Sequence, residues 1–181
     1  MKRAIINDLV RWKNRGDRKP LILLGARQVG KTFILKEFGR RYYKNTAYIN
    51  CDSNALVKDL FKADYDIDRI LLAIGSITGE SIIPGETLII LDEIQELHRG
   101  LNALKYFCEN APQYHVAVAG SLLGITLHQG ESYPVGKVNT IEMHPMTFSE
   151  FLLAKGRDKM VDLLRQKQWD VIASLSSLYT Q

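Results

Sequence analysis

Cysteine, histidine and long apolar runs are all scarce in this chain. Only two cysteines occur among 181 residues. Cys51 and Cys108 stand far apart and in no metal-ligand spacing, so buried free thiols and a cytoplasmic location are expected. The four histidines form no cluster, which argues against a zinc site. No apolar run approaches the ~20 residues that would cross a bilayer, and no membrane partner is expected. The N-terminus MKRAIINDLVRWKNRGDRK is basic but lacks the apolar stretch of a signal peptide. Repeats and low-complexity tracts are absent too. What remains is an ordinary globular composition, 46% hydrophobic and 24% charged, enough for one domain plus an appendage.

The formal net charge of +4 hides an asymmetry. Residues 1–44 carry 13 Lys/Arg against three acids, and residues 45–181 carry 11 against 17. An anionic ligand near residue 30 would account for part of the excess. The rest, Lys2, Arg3, Arg11, Lys13, Arg15, Arg18 and Lys19, reads either as an electrostatic footprint for nucleic acid or as a solvated helix face.

Periodicity orders the elements. Ile5, Leu9 and Trp12 recur at helical spacing, predicting a helix over 3–14 that Gly16-Asp17 breaks. The apolar run 21–24 predicts a buried strand, 32–43 a helix, 46–50 a strand, and 56–75 mostly helix. Pro84-Gly85 marks a turn before a strand over 87–91. A helix over 101–110, stopped by Ala111-Pro112, and strands over 115–119 and 137–143 follow. Wholly apolar strands alternating with helices indicate a mostly parallel sheet covered on both faces, a three-layer α/β core. Thr147 and Glu150 fit a capping box ahead of Phe151. Beyond Gly156, apolar Met160, Leu163, Leu164, Val171, Ile172 and Leu175 predict a short helical tail. The division expected is a core over 1–155 and a tail over 156–181, the start of a lid or a linker.

Gly25-Ala26-Arg27-Gln28-Val29-Gly30-Lys31-Thr32 matches G-x-x-x-x-G-K-[ST] in full. A chance match in a chain this long is on the order of one in two hundred. A structural glycine turn is the competing reading, but the motif sits after an apolar strand and at a helix start, where phosphate binding requires it. The glycines let successive N–H groups point at phosphate oxygens, and the helix N-terminus adds its positive end. Lys31 reaches the terminal phosphates, and the Thr32 hydroxyl ligates Mg²⁺. These eight residues are the expected ATP/ADP site.

The run LIILDE, residues 88–93, places Asp92 at the C-terminal end of a buried strand, where sheets of this class bind ligands. There Asp92 is suited to hold Mg²⁺ and Glu93 to polarise an attacking water. VAVAGS, residues 116–121, delivers Ser121 at the same sheet edge. Its hydroxyl either senses the γ-phosphate or merely ends the strand in a turn. Lys31, Glu93 and Ser121 form the candidate catalytic set, with Thr32 and Asp92 as metal ligands. The segment ahead of the loop, Trp12 to Arg18, is a candidate adenine region.

The runs LILLGARQVGKT, LDEIQ, AGSLL and HPMTFSEFL resemble the prokaryotic AAA+ ATP-binding proteins related to archaeal ATPases, P-loop NTPases, over roughly residues 1–155. Its most distinctive parts are Arg27-Gln28, Gln95 and the Pro145–Phe148–Glu150–Phe151 segment. The resemblance implies Walker A roles for Lys31 and Thr32, Walker B roles for Asp92 and Glu93, and the sensor-1 position for Ser121. It also implies that the Ser121 strand lies between the Walker A and Walker B strands. The activity implied is a Mg²⁺-dependent ATPase, a hydrolase that couples ATP hydrolysis to motion of an attached or partner region, slow in isolation. The alternative is a nucleotide-gated binding module with little or no hydrolysis. Relatives tend to have Arg where this chain has Lys137, which cannot fork two hydrogen bonds onto a phosphate; a surface salt bridge is the better reading there. Such proteins usually continue into a C-terminal region, so a truncated member, and a homo-oligomer through an uncovered apolar tail, are expected.

Overall fold

The computed structural model describes residues 3–52, 57, 60, 61, 64–97, 99–120 and 134–175. Packing divides the chain into two units, residues 6–144 and residues 1–5 with 145–181. The division expected at residue 155 falls inside the second of these.

The larger unit alternates helix and strand. Helix α1 (Ile5–Lys13) leads to β1 (Leu21–Leu24), α2 (Lys31–Tyr42), β2 (Asn45–Asn50) and α3 (Ile67–Thr78). Strand β3 (Thr87–Asp92), a 3₁₀ turn (Ile94–Glu96), α4 (Gly100–Asn110), β4 (His115–Ala119) and β5 (Asn139–Glu142) complete it. The order is β2-β3-β4-β1-β5, and all pairings are parallel. This is a three-layer P-loop NTPase fold of AAA+ type, and β4 lies between β1 and β3 as the resemblance implied.

Strand side chains alternate between two buried faces. Ile22, Ile49, Ile89, Leu91, Val116 and Val118 join Ile70 and Ile74 of α3 and Leu104 and Phe107 of α4 in one apolar cluster. The intervening Leu21, Leu23, Leu88, Ile90 and Ala117 are equally buried. They belong to the opposite face, the side of α2, which packs on β2, β3 and β4. Every residue of β3 is buried, so it reads as a continuous apolar run rather than an alternation.

One element differs from its expected span. The described residues among 57–61 lie in turns, and the helix expected from 56 runs instead from Ile67 to Thr78. Asp66 sets the start, its carboxylate accepting from Arg69 N at 3.0 Å, a side-chain cap that periodicity does not register. Gly75 does not end the helix, because Gly79 supplies the left-handed cap at φ 72°.

In the smaller unit, α5 (Phe148–Ala154) carries the full capping box: Thr147 Oγ1 accepts from Glu150 N at 3.2 Å, and Glu150 Oε2 accepts from Thr147 N at 2.9 Å. Glu150 Oε1 also accepts from Ala4 N at 2.9 Å. Helices α6 (Asp158–Arg165) and α7 (Trp169–Leu175) follow, α5 against α6 and α6 against α7. They leave a groove of about 500 Å³ lined by Phe148, Phe151, Leu152, Met160, Leu164 and Ile172. Among the described residues no helix is long and apolar enough to cross a membrane.

Candidate functional site

The sheet's register sets the site. Leu23 of β1, Ala119 of β4 and Asp92 of β3 lie in one row at the C-terminal edge, so the segments leaving these strands emerge together. The loop between β1 and α2 contains three backbone conformations at positive φ: Gly25 at 147°, Gln28 at 64° and Gly30 at 95°. Gly25 is required there twice over. A Cβ at this position would stand 2.3 Å from the Met143 carbonyl oxygen, and Met143 N in turn donates to Leu24 O at 2.8 Å. The backbone just past β5 thus forms the wall behind the loop.

Arg27, Gln28, Gly30, Lys31, Thr32, Asp92 and Glu93 line one cavity of about 410 Å³. Helix α2 opens on it with Gly30 at its N-terminal cap and no side-chain cap bond. Its first N–H groups are left for an anion, and the helix dipole favours negative charge there. Lys31 is buried, and its ammonium donates to Gly25 O and Ala26 O at 2.7 and 2.8 Å. Burial pulls its pKa down, while the carboxylates of Glu93 and Asp92 push it up. Thr32 Oγ1 donates to Asp92 Oδ2 at 2.6 Å. Two hard oxygen donors therefore stand together at the cavity floor, a set that suits Mg²⁺. No group of three or more His, Cys, Asp or Glu side chains gathers around a possible ion among the described residues. A magnesium ion here would draw its remaining ligands from water and phosphate, as that ion usually does.

Tyr48 and Gln95 escaped the sequence reading of roles. Tyr48 OH on β2 donates to Asp92 Oδ2 at 3.2 Å, and burial, then the Asp92 charge, raises its phenol to about 12. Gln95 Nε2 donates to Glu93 Oε2 at 2.6 Å. For Tyr48 the only available signal was its place on a strand beside the one that ends in Asp92. Burial also raises the Cys51 thiol to about 12, which leaves it inert; Cys108 is free and half-buried.

Ser121 lies outside the described residues, as do Lys2 and Leu56. Lys137 forms a salt bridge with Glu109 at 2.9 Å, the surface role expected of it, and does not line the cavity. Trp12 is buried, its Nε1 donating to Lys19 O at 2.8 Å.

The basic segment is largely engaged. Arg11 pairs with Asp8 and Arg15 with Asp17. Lys13 donates to the Tyr42 carbonyl, Arg18 to Pro112 O at 2.7 Å, and Lys19 to Gly136 O at 2.6 Å.

A family model described as an AAA domain matches residues 17–152. The chain is 29% identical over 84 residues to the replication factor C large subunit of Methanosphaera stadtmanae, 46% of this chain and 14% of that one. Among solved structures it is similar to the Aeropyrum pernix ORC1 protein in complex with DNA (TM-score 0.47, 14% identity, 86% of this chain and 47% of that one). It is similar also to C. elegans PCH-2 (TM-score 0.46, 11% identity, 89% and 46%) and to the Pif1 helicase of Candida albicans (TM-score 0.42, 12% identity, 91% and 43%). The chain thus spans under half the length of each. Since the family match takes in both the glycine loop and the Asp92 strand, the chain belongs to the AAA domain family, that of the AAA+ P-loop ATPases.

Proposed function

We propose that this chain is a Mg²⁺-dependent ATPase domain that couples ATP hydrolysis to conformational change in an attached or partner region. The observation that supports this most is the meeting of Lys31, Thr32, Asp92 and Glu93 around one cavity, with Thr32 hydrogen-bonded to Asp92. The loop amides from Gly25 to Thr32 and the Lys31 ammonium hold the triphosphate. Thr32 and Asp92 hold the magnesium ion, which when bound neutralises charge developing on the phosphoryl oxygens. Glu93 orients a water for in-line attack on the γ-phosphorus and polarises it. The new P–O bond forms as the bond to the ADP oxygen breaks, and the proton the water loses passes to the Glu93 carboxylate. Ser121 is the further candidate for sensing the γ-phosphate.

Turnover by this chain alone is slow. An arginine on the transition state contributes ~10³–10⁵-fold in phosphoryl transfer, and Lys137 is held by Glu109 instead. In AAA+ assemblies a neighbouring subunit commonly supplies that arginine. The half-buried Leu163, Leu164 and Ile172 support self-association through the tail.

The second reading, a nucleotide-gated binding module with little hydrolysis, draws on the same Lys137–Glu109 pair. A nucleic-acid partner on the N-terminal segment would compete with the bonds that already hold Arg11, Lys13, Arg15, Arg18 and Lys19.

Titration with Mg²⁺-ATP and measurement of free phosphate separate the two. Lys31→Ala should weaken ATP binding at least about 100-fold, or roughly 2.7 kcal/mol. Glu93→Gln should bind as the parent does and lose phosphate release by about 10²-fold or more. Undiminished binding by Lys31→Ala would remove the phosphate cradle, and undiminished release by Glu93→Gln would remove the base.

A further inference from the structure

The roles above leave Gln95, on the 3₁₀ turn after β3, without a task. It sits two residues past Glu93, and its Nε2 donates to Glu93 Oε2 at 2.6 Å. The opposite amide orientation would set a carbonyl oxygen against a carboxylate oxygen, so chemistry fixes Nε2 as the atom facing Glu93.

The backbone is built to make this contact. Glu93 adopts a left-handed conformation, φ 53° and ψ 47°, at the start of the 3₁₀ turn, an unfavourable state for a residue with a side chain. Glu96 N then donates to Glu93 O, and Leu97 N to Ile94 O, each at 3.0 Å. Ile94 and Leu97 are buried in the cluster that also contains Leu91 and Leu101. Gln95 is therefore anchored on both sides by the core while its side chain folds back onto Glu93.

Stability does not account for the amide. Gln95 Oε1 is buried with no hydrogen-bond partner among the described residues, which carries a cost that an apolar side chain would avoid. The bond to Glu93 is the return on that cost.

We propose that Gln95 is a positioning residue for Glu93. Its amide holds one carboxylate oxygen, fixing the rotation of the carboxylate at the cavity wall, so that Glu93 meets the attacking water in one orientation. Ordering the carboxylate before the reaction lowers the barrier to the chemical step and leaves nucleotide affinity unchanged. The proposal rests on the hydrolytic reading above.

The test uses the full chain with Mg²⁺-ATP. Gln95→Ala and Gln95→Glu should each keep the ATP Kd within about twofold and lose about tenfold or more in kcat near pH 8. In Gln95→Glu the introduced carboxyl donates only when protonated, and the neighbouring carboxylate raises its pKa. Its kcat should therefore recover as pH falls toward about 6, while Gln95→Ala shows no recovery. In a Glu93→Gln background, Gln95→Ala should add less than about twofold, since both act through one interaction. Unchanged kcat in both variants, or a Kd that worsens by the same factor as kcat, would overturn the proposal. Nitrogen-resolved NMR without nucleotide gives an independent reading: the Gln95 side-chain amide should shift on Glu93→Ala, and an unmoved signal would equally overturn it. If the parent binds ATP but releases no phosphate, the hydrolytic reading fails and the amide signal alone decides whether the clamp exists.

Discussion

The two edges of the parallel sheet are built on opposite terms. At the C-terminal edge stand Lys31, Thr32, Asp92 and Glu93 around a cavity, with Gln28 and Glu93 both at positive φ. At the N-terminal edge, Trp12, Phe38, Tyr43 and His115 pack ring against ring, with centroids 5.3 to 6.4 Å apart. His115 Nδ1 and Tyr43 OH share a hydrogen bond of 2.7 Å, and Trp12 Nε1 is satisfied by Lys19 O. These two polar contacts lie inside the protein, and burial, with Arg18 and Lys13 nearby, lowers the imidazole pKa to about 4, which keeps it neutral near pH 7. The cavity edge instead collects charged groups around an open cavity. One edge spends its chemistry on staying folded, and the other holds it ready for a ligand.

The widest separation between the edges should come from Trp12→Ala. Loss of a buried aromatic costs about 3–5 kcal/mol, measured by denaturant unfolding, while the ATP Kd of the remaining folded protein stays within about threefold. Lys31→Ala should do the reverse, losing binding with little loss of stability. If Trp12→Ala weakened ATP binding as much as Lys31→Ala does, the edges would not be independent.

Acid should also act on the aromatic edge. Above pH 6.5 His115 is neutral in both folded and unfolded chains and contributes no slope. Below 6.5 the unfolded imidazole takes a proton that the folded one refuses until about pH 4. Stability should therefore fall across that window, by up to about 3 kcal/mol from this group. Unfolding curves of the parent and of His115→Asn, which keeps a polar atom near Nδ1, should differ in slope between pH 6.5 and 4. Parallel curves would remove His115 as the cause.

The smallest effect belongs to neither edge. Lys137→Ala breaks a solvent-exposed pair with Glu109 and should change stability by less than about 0.5 kcal/mol, with phosphate release unaltered. A marked drop in release would return Lys137 to the phosphoryl site.

The glycine loop and its lysine are legible because their spacing is local. Phosphate binding by a strand–loop–helix needs glycines, a lysine and a hydroxyl at fixed offsets, and the run Gly25 to Thr32 states them in order. The capping box at Thr147 and Glu150 was readable for the same reason, since both partners lie within one turn. The start of the helix at Ile67–Thr78 is not legible in the sequence, because apolar periodicity runs through its surroundings, whereas the boundary depends on one carboxylate, that of Asp66, bonding one N–H. The basic N-terminus left two readings open, as charge counts do not reveal partners. Arg11 and Arg15 face aspartates, and Arg18 and Lys19 reach backbone carbonyls 94 and 117 residues away.

Sequence by itself determined the alternation of buried strands and helices and the place of the glycine loop between β1 and α2, because hydrophobic period and short-range spacing are properties of neighbouring residues. Tertiary structure alone decided what closes around that loop. The Met143 carbonyl that makes Gly25 irreplaceable, the Tyr48 hydroxyl on Asp92 and the row joining Leu23, Asp92 and Ala119 all come from strands distant in sequence. Strand order and register bring them together, and both are settled by the packing of two sheet faces at once, which no local pattern encodes.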